Sequence, residues 1–192
     1  MVALPDRPSM TPDAYLAWET LQEERHEYWA GEIVLMSGGS KNHNRVSGNA
    51  FKILDQLLRD RNCEVFISDI KVQILRNRYY FYPDVVVSCD ERDDQDDQLV
   101  RYPCLIIEVL SPSTESVDRG RKFNAYRRIE TLQDYILINP NQPIVEVFSR
   151  GMTGEWILRE YGLEDTIELA SIGGAVTVKD FYDRITLEER AI

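Results

Sequence analysis

Apolar side chains recur along this chain in two rhythms, one helical and one alternating or continuous. Between Asn44 and Asp60, the residues Val46, Ala50, Ile53, Leu54 and Leu57 fall in one stripe at ~100° per residue, which predicts an amphipathic helix. A shorter helix is expected over residues 11–24, with Thr11 as its N-cap and Pro12 at its first position. The segment "EYWAGEIVLMSGG" reads as two short strands around Ala30-Gly31, closing on a glycine-rich turn. Strands are expected over residues 64–75, 79–88 and 104–110, with Asn77 suiting a turn between the first two. A second helix is expected over residues 117–129, followed by the strand "DYILIN", which Asn139-Pro140 stops. Residues 144–149 and 155–161 flank "RGMTG", the pattern of a hairpin, and "VTVKDFYDRI" ends in a short helix.

The central order is therefore helix, three strands, helix, strand. A helix between the third and fourth strands makes a crossover, so those two strands are expected to run parallel in a mixed sheet. The fold class that follows is mixed α/β, an α+β arrangement around one central sheet. We expect a single domain over residues 1–192, with residues 1–40 as an N-terminal helix and hairpin extension and 144–192 as a C-terminal hairpin and tail.

Composition narrows this without redirecting it. The 192 residues are 43% hydrophobic and 29% charged, an ordinary soluble globular balance with enough apolar matter for a core. No stretch reaches the ~18 uninterrupted apolar residues of a membrane span, and "MVALPDRPSM" lacks the pattern of a signal peptide. Cys63, Cys89 and Cys104 show no metal-type spacing, and we read them as reduced thiols of a cytoplasmic protein. The net charge of −11 argues against a general polyanion binder, while leaving room for a local basic site.

The chemistry begins with a misfit in "LIIEVL" (105–110). Glu108 is a carboxylate inside a run that otherwise reads as a buried strand, where a lone charge costs several kcal/mol. Asp84 in "YYFYPDVVVS" poses the same problem. Pro83 cannot donate to a sheet ladder, so the strand should bend or open there. With these two strands as neighbours, both carboxylates reach one rim, where they repel unless a cation separates them. Magnesium sites typically use one or two carboxylates together with waters and substrate phosphate. Lys122 is the matching cation. At ~100° per residue, Ala125, Tyr126 and Ile129 lie within about 60° of it, on the apolar side of the second helix. Two readings stay open for these residues: a structural ion pair to Glu108, or a catalytic group. His43, near the start of the first long helix, is a candidate acid/base or substrate contact or a satisfied helix-end histidine. Glu27 and Glu32 flank the early turn, and either is a candidate to complete a metal shell. The acidic stretch "CDERDDQDDQ" (89–98) lacks the glycine and glutamate spacing of an EF-hand, so we expect a solvated loop there.

The order "PD" (83–84), "EVLSPST" (108–114), "DRGRK" (118–122) and Tyr126 resembles the Uma-type restriction endonuclease family, within the PD-(D/E)XK nuclease superfamily. The resemblance extends to "RHEYWAGEIVLM", "NHNRV", "DYILINP" and the late hairpin, and so covers most of the chain. It implies a restriction-endonuclease-like core in which Asp84 and Glu108 bind Mg²⁺, with Mn²⁺ as a substitute, and a lysine assists. Leu110 stands where a standard strand of this superfamily has its lysine. The family moves that lysine to the next helix, which points to Lys122. Glu27, His43 and Tyr126 also match recurring family positions. The implied function is a metal-dependent endonuclease acting on DNA, with Arg119, Arg121, Arg127 and Arg128 making the neighbouring helix locally basic. A homodimer is expected for cutting both strands. Two other readings share the fold: a non-catalytic nucleic-acid or protein binding module with an idle site, and a nuclease acting on RNA or repair intermediates.

Overall fold

The computed structural model describes residues 10–187. The stretch read against a signal peptide (residues 1–9) and the end of the expected tail (188–192) lie outside the described residues. Thr11 accepts a hydrogen bond from the Ala14 N–H (3.3 Å) and opens helix α1 (Pro12–Glu19), as its capping chemistry predicts. The helix stops five residues short of expectation because Glu19 turns inward. Its carboxylate accepts from the His26 N–H at 2.8 Å and the Tyr82 O–H at 2.9 Å, tying the helix end to the next strand. Strands β1 (His26–Trp29) and β2 (Glu32–Leu35) form the expected hairpin, turning through Ala30 (φ 51°) and Gly31 (φ 110°). Positive φ at both turn positions matches the twist of paired strands. Helix α2 (Lys41–Leu58) is capped by Ser40 and buries Val46, Ala50 and Leu54 of the predicted stripe together with Leu58, while Ile53 and Leu57 of that stripe are half-buried.

Two single strands of the sequence reading are each broken in half. Residues 64–75 become β3 (Glu64–Ile67) and β4 (Lys71–Ile74), with Ser68 at φ 59° between them. Residues 79–88 become β5 (Tyr79–Phe81) and β6 (Val85–Ser88), separated at Tyr82-Pro83-Asp84. In both cases the halves enter different sheets. Strands β7 (Leu99–Val100) and β8 (Pro103–Val109) follow the acidic loop, which is largely exposed as expected and is tied down where Asp93 accepts from Ser88, Arg101 and Tyr102. The second helix is three pieces: α3 (Glu115–Val117), a π-helical turn (Asp118–Lys122) and α4 (Phe123–Tyr126). After it come β9 (Asp134–Ile138) and the hairpin β10 (Val145–Arg150) and β11 (Trp156–Tyr161). A second hairpin, β12 (Thr166–Leu169) with β13 (Gly174–Thr177), was not legible in the pattern; it leads into α5 (Val178–Phe181).

The architecture is mixed α/β. A six-stranded sheet has the order β11-β10-β9-β8-β6-β3, and a five-stranded one the order β2-β1-β5-β4-β7. The β8–β9 pair is parallel, as the crossover required, and β6–β8 is antiparallel with Val85 opposite Ile107. Alternation along β8 decides what each residue meets. Leu105, Ile107 and Val109 pack toward α2, whereas Ile106 and Leu110 pack toward Tyr126, Ile129 and Phe81. By the period-two rule Glu108 faces the second side, under α4 and the five-stranded sheet.

The cysteine expectation needs correction. Cys63 and Cys89 are joined by a disulfide, and only Cys104 is free. The register explains it: Glu64 pairs with Ser88, so the flanking positions 63 and 89 face each other across the ends of β3 and β6. A sequence separation of 26 residues hides that proximity. Burial pushes the Cys104 thiol up to about 11. No helix among the described residues is long and apolar enough to cross a membrane.

Candidate active site

A cleft of about 310 Å³ opens where the two sheets meet, lined by Glu27, His43, Asp84, Glu108, Asp118 and Lys122. They arrive from five different pieces of the fold. Asp84 comes from the break between β5 and β6, and Glu108 from the C-terminal end of β8. Glu27 lies on β1, His43 in the first turn of α2, and Asp118 and Lys122 on the π turn. A second cleft, of about 420 Å³, lies beside Cys89 and is walled by Asp93, Asp94, Asp96 and Asp97; it contains none of these residues.

The centre of the site is the Lys122 ammonium. It contacts Glu27 Oε1 at 2.9 Å, Glu108 Oε1 at 3.0 Å and Asp118 Oδ1 at 3.6 Å, with its side chain 8% exposed. Tyr126 donates its O–H to the same Glu108 Oε1 at 3.1 Å. Glu27 is itself fixed, accepting from Trp29 Nε1–H at 3.2 Å and the Tyr82 N–H at 3.4 Å. Asp84 Oδ2 accepts from the Val109 N–H at 2.7 Å and lies 3.4 Å from His43 Nε2. The hydrogen bond from residue 109 to residue 84 holds the two expected carboxylates side by side. Each has one oxygen held by the protein, and among the described residues its other oxygen receives no protein donor.

The electrostatics follow from burial and crowding. Burial raises the Glu108 carboxyl well above its ordinary range, against the opposing pull of Lys122. Asp118 is raised for the same reason. Burial alone would lower Lys122, but Glu108, Glu27 and Asp118 outweigh it, so the ammonium stays charged. His43 loses to burial and gains more from its hydrogen bond and charge contact with Asp84, and ends raised. Three carboxylates thus contact Lys122, and Asp84 and His43 lie beside them in the same cleft.

The structure thus brings together Asp84, Glu108, Lys122, Glu27, His43 and Tyr126. Glu32 is exposed on β2 and does not line the cleft, so of the two early glutamates only Glu27 arrives. Of the four arginines, Arg121, Arg127 and Arg128 are exposed, with Arg121 stacked 4.5 Å from the Trp29 ring. Arg119 is half-buried and paired with both Glu115 and Glu146, so its charge is already compensated. Asp118 is the residue that sequence reasoning missed. Its signal was present as an acid four positions before Lys122, on the same helical face. No cluster of three or more His, Cys, Asp or Glu side chains suited to a metal occurs among the described residues.

Comparison with known proteins defines the class. Residues 12–179 match the Uma2 family model, described as "Putative restriction endonuclease", and the chain belongs to that family. Two curated relatives from Synechocystis sp. (strain ATCC 27184 / PCC 6803 / Kazusa) are both uncharacterized. One, slr1290, is 42% identical over 91% of this chain and 92% of its own length. The other, sll1609, is 38% identical over 79% of this chain and 86% of its own. The fold is similar to the crystal structure of a "putative nuclease belonging to DUF820" from Anabaena variabilis ATCC 29413. That match has a TM-score of 0.73 at 16% identity, covering 91% of this chain and 98% of that one.

Proposed function

We propose that the chain is a Mg²⁺-dependent endonuclease that hydrolyses phosphodiester bonds in DNA, working in the cytoplasm. The observation that carries this is the pairing of Asp84 and Glu108, each with one oxygen anchored and one uncommitted, beside a buried charged lysine. Two carboxylates without a third protein ligand fit a hard ion that retains waters and takes substrate oxygens, which is magnesium's habit and manganese's by substitution. Asp84 and Glu108 would hold it. When bound, such an ion lowers the pKa of water and offsets charge on phosphoryl oxygens.

The chain's own residues supply the rest. Lys122 presents a charged donor toward the attacking oxygen or the crowded phosphorus centre, where developing negative charge is greatest. Tyr126 and Glu27 fix the lysine and Glu108 so that neither rotates away. His43, whose proton affinity Asp84 raises, would donate to a phosphate oxygen or a leaving group. Arg121, Arg127 and Arg128 offer an exposed basic edge for the backbone of the substrate. With a chain charge of −11, binding by this edge alone is weak and falls steeply with salt. Cutting both strands of a duplex needs two such sites, so the proposal includes a homodimer.

The test is plasmid nicking in Mg²⁺ or Mn²⁺ at low salt, comparing the wild type with Glu108→Gln and Lys122→Ala, each checked by circular dichroism. Cutting by the wild type and silence from both folded variants is the expected result. Equal behaviour of all three would transfer the reading to a non-catalytic binding module, which the acidic net charge favours. Cutting of RNA but not DNA under the same conditions would keep the site and change the substrate.

A further inference from the structure

Asp118 has an oddity that the nuclease chemistry does not require. Its Oδ1 is buried, faces the Lys122 ammonium at 3.6 Å, and has no hydrogen-bond partner. Buried acceptors are almost always satisfied, so an unsatisfied one facing a buried ammonium calls for a physical reason. The Lys122 ammonium meanwhile lies in hydrogen-bond contact with Glu27 and with Glu108 Oε1, an atom that also receives the Tyr126 O–H.

We infer that Asp118 is a positioning residue, a second seat that retains Lys122 in the cleft once a divalent cation engages Glu108. The inference rests on the reading of Asp84 and Glu108 as cation-binding carboxylates. A cation on Glu108 competes directly with the ammonium for that carboxylate and repels it. Lys122 must then leave the cleft or find another acceptor. Glu27 Oε1 is one and stays in place, since Trp29 and Tyr82 hold that side chain. Asp118 Oδ1 is the other, a few tenths of an ångström beyond hydrogen-bond reach. A small rotation of the lysine's terminal bonds closes that gap.

The backbone suits this role. Asp118 and Lys122 begin and end the same π-helical turn, a local widening that recurs at functional sites, so their backbones share one hydrogen-bonded turn. The turn is pinned from below by the Tyr135 O–H, which donates to the Asp118 carbonyl at 3.0 Å. Tyr135 belongs to β9, the parallel neighbour of the strand that carries Glu108. The seat is therefore referenced to the same sheet as the carboxylate it relieves.

The experiment compares wild type with Asp118→Asn, which preserves shape and removes the charge, and with Asp118→Glu as the conservative rescue. Calorimetry measures Mg²⁺ binding. ¹⁵N-lysine NMR follows the Lys122 ammonium, assigned by its loss in Lys122→Ala. Nicking kinetics give kcat and KM. We expect Asp118→Asn to bind Mg²⁺ within about twofold of wild type. In the Mg²⁺-saturated state its Lys122 ammonium signal should be lost to solvent exchange, whereas the wild type keeps it. The kcat should fall about tenfold or more with KM unchanged, as for the loss of a supporting partner, and Asp118→Glu should restore part of both. A protected Lys122 signal in Mg²⁺-saturated Asp118→Asn overturns the inference. So does a loss of Mg²⁺ affinity of about tenfold or more, which would make Asp118 a ligand instead. Both results leave the nuclease reading intact. A wild type that binds no divalent ion, or a Glu108→Gln variant that binds it equally well, defeats that reading and this one together.

Discussion

Replacing Lys122 with methionine keeps the length and apolar stem of the side chain and deletes its charge. The ammonium it removes is nearly buried and contacts Glu27, Glu108 and Asp118 at 2.9, 3.0 and 3.6 Å. Removing one partner of a buried pair strands the other, at about 3–5 kcal/mol. Here three carboxylates are stranded at once, so the upper part of that range applies at neutral pH. The sign with pH follows from the shifts. Glu108 and Asp118 already sit above their ordinary values of 4.5 and 3.8 through burial, held down in part by Lys122. Without the lysine they rise further, and the folded variant binds protons that the unfolded chain releases. Stability from a group raised in this way is fully present below its unfolded pKa and is lost as pH rises through the folded one. The deficit of Lys122→Met relative to wild type should therefore be small near pH 5 and largest near pH 8. Lys122's own raised pKa lies above this window and does not reverse the trend. Urea unfolding followed by circular dichroism, in chelator at the two pH values, measures it. Adding Glu108→Gln to the variant should recover a substantial part of the loss at pH 8. A deficit below about 1 kcal/mol, or one equal at both pH values, would refute the account of a lysine holding three buried charges together.

Tyr126→Phe removes one of two donors to Glu108 Oε1 and should cost about 1.5–3 kcal/mol in urea unfolding; no measurable loss would mean the hydroxyl is dispensable. Ile107 is fully buried between β6 and β9 on the α2 side, so Ile107→Ala should cost about 2–5 kcal/mol by the same assay, and a neutral result would contradict the assigned strand face. Thiol titration in denaturant should find one free thiol per chain without reductant and three with it; three without reductant would restore the reading of reduced cysteines. Cys104, held near 11 by burial, should alkylate in the native protein at pH 8 about 100-fold more slowly than an ordinary thiol of pKa 9, a rate that a mass-shift assay resolves.

What the sequence by itself determined was the set of residues whose chemistry contradicts their setting. Glu108 in "LIIEVL", Asp84 behind Pro83 and Lys122 on an apolar face were each legible, because burying a charge is costly enough to demand a partner. The α2 stripe, the parallel β8–β9 crossover and the β10–β11 hairpin were legible for a related reason, since periodicity and turn chemistry are local. The helical spacing from Lys122 to Tyr126 held because the π turn ends at Lys122 and leaves α4 in ordinary register, whereas Ile129 lies beyond the end of α4 and still packs in the same apolar cluster. Tertiary structure alone decided the rest. Ser68 and the Tyr82-Pro83-Asp84 break send the halves of two apparent strands into different sheets, a choice made by what each half can pack against. The Cys63–Cys89 disulfide depends on the register of β3 against β6. Glu27 and Glu32 share one face of the β1–β2 hairpin, Glu27 opposite Val34 and Glu32 opposite Trp29 at the turn, and only Glu27 lines the cleft. Asp118 was in plain view beside Lys122 in "DRGRK". Its significance lies in one buried oxygen without a donor, which is a property of three-dimensional surroundings and of no local pattern.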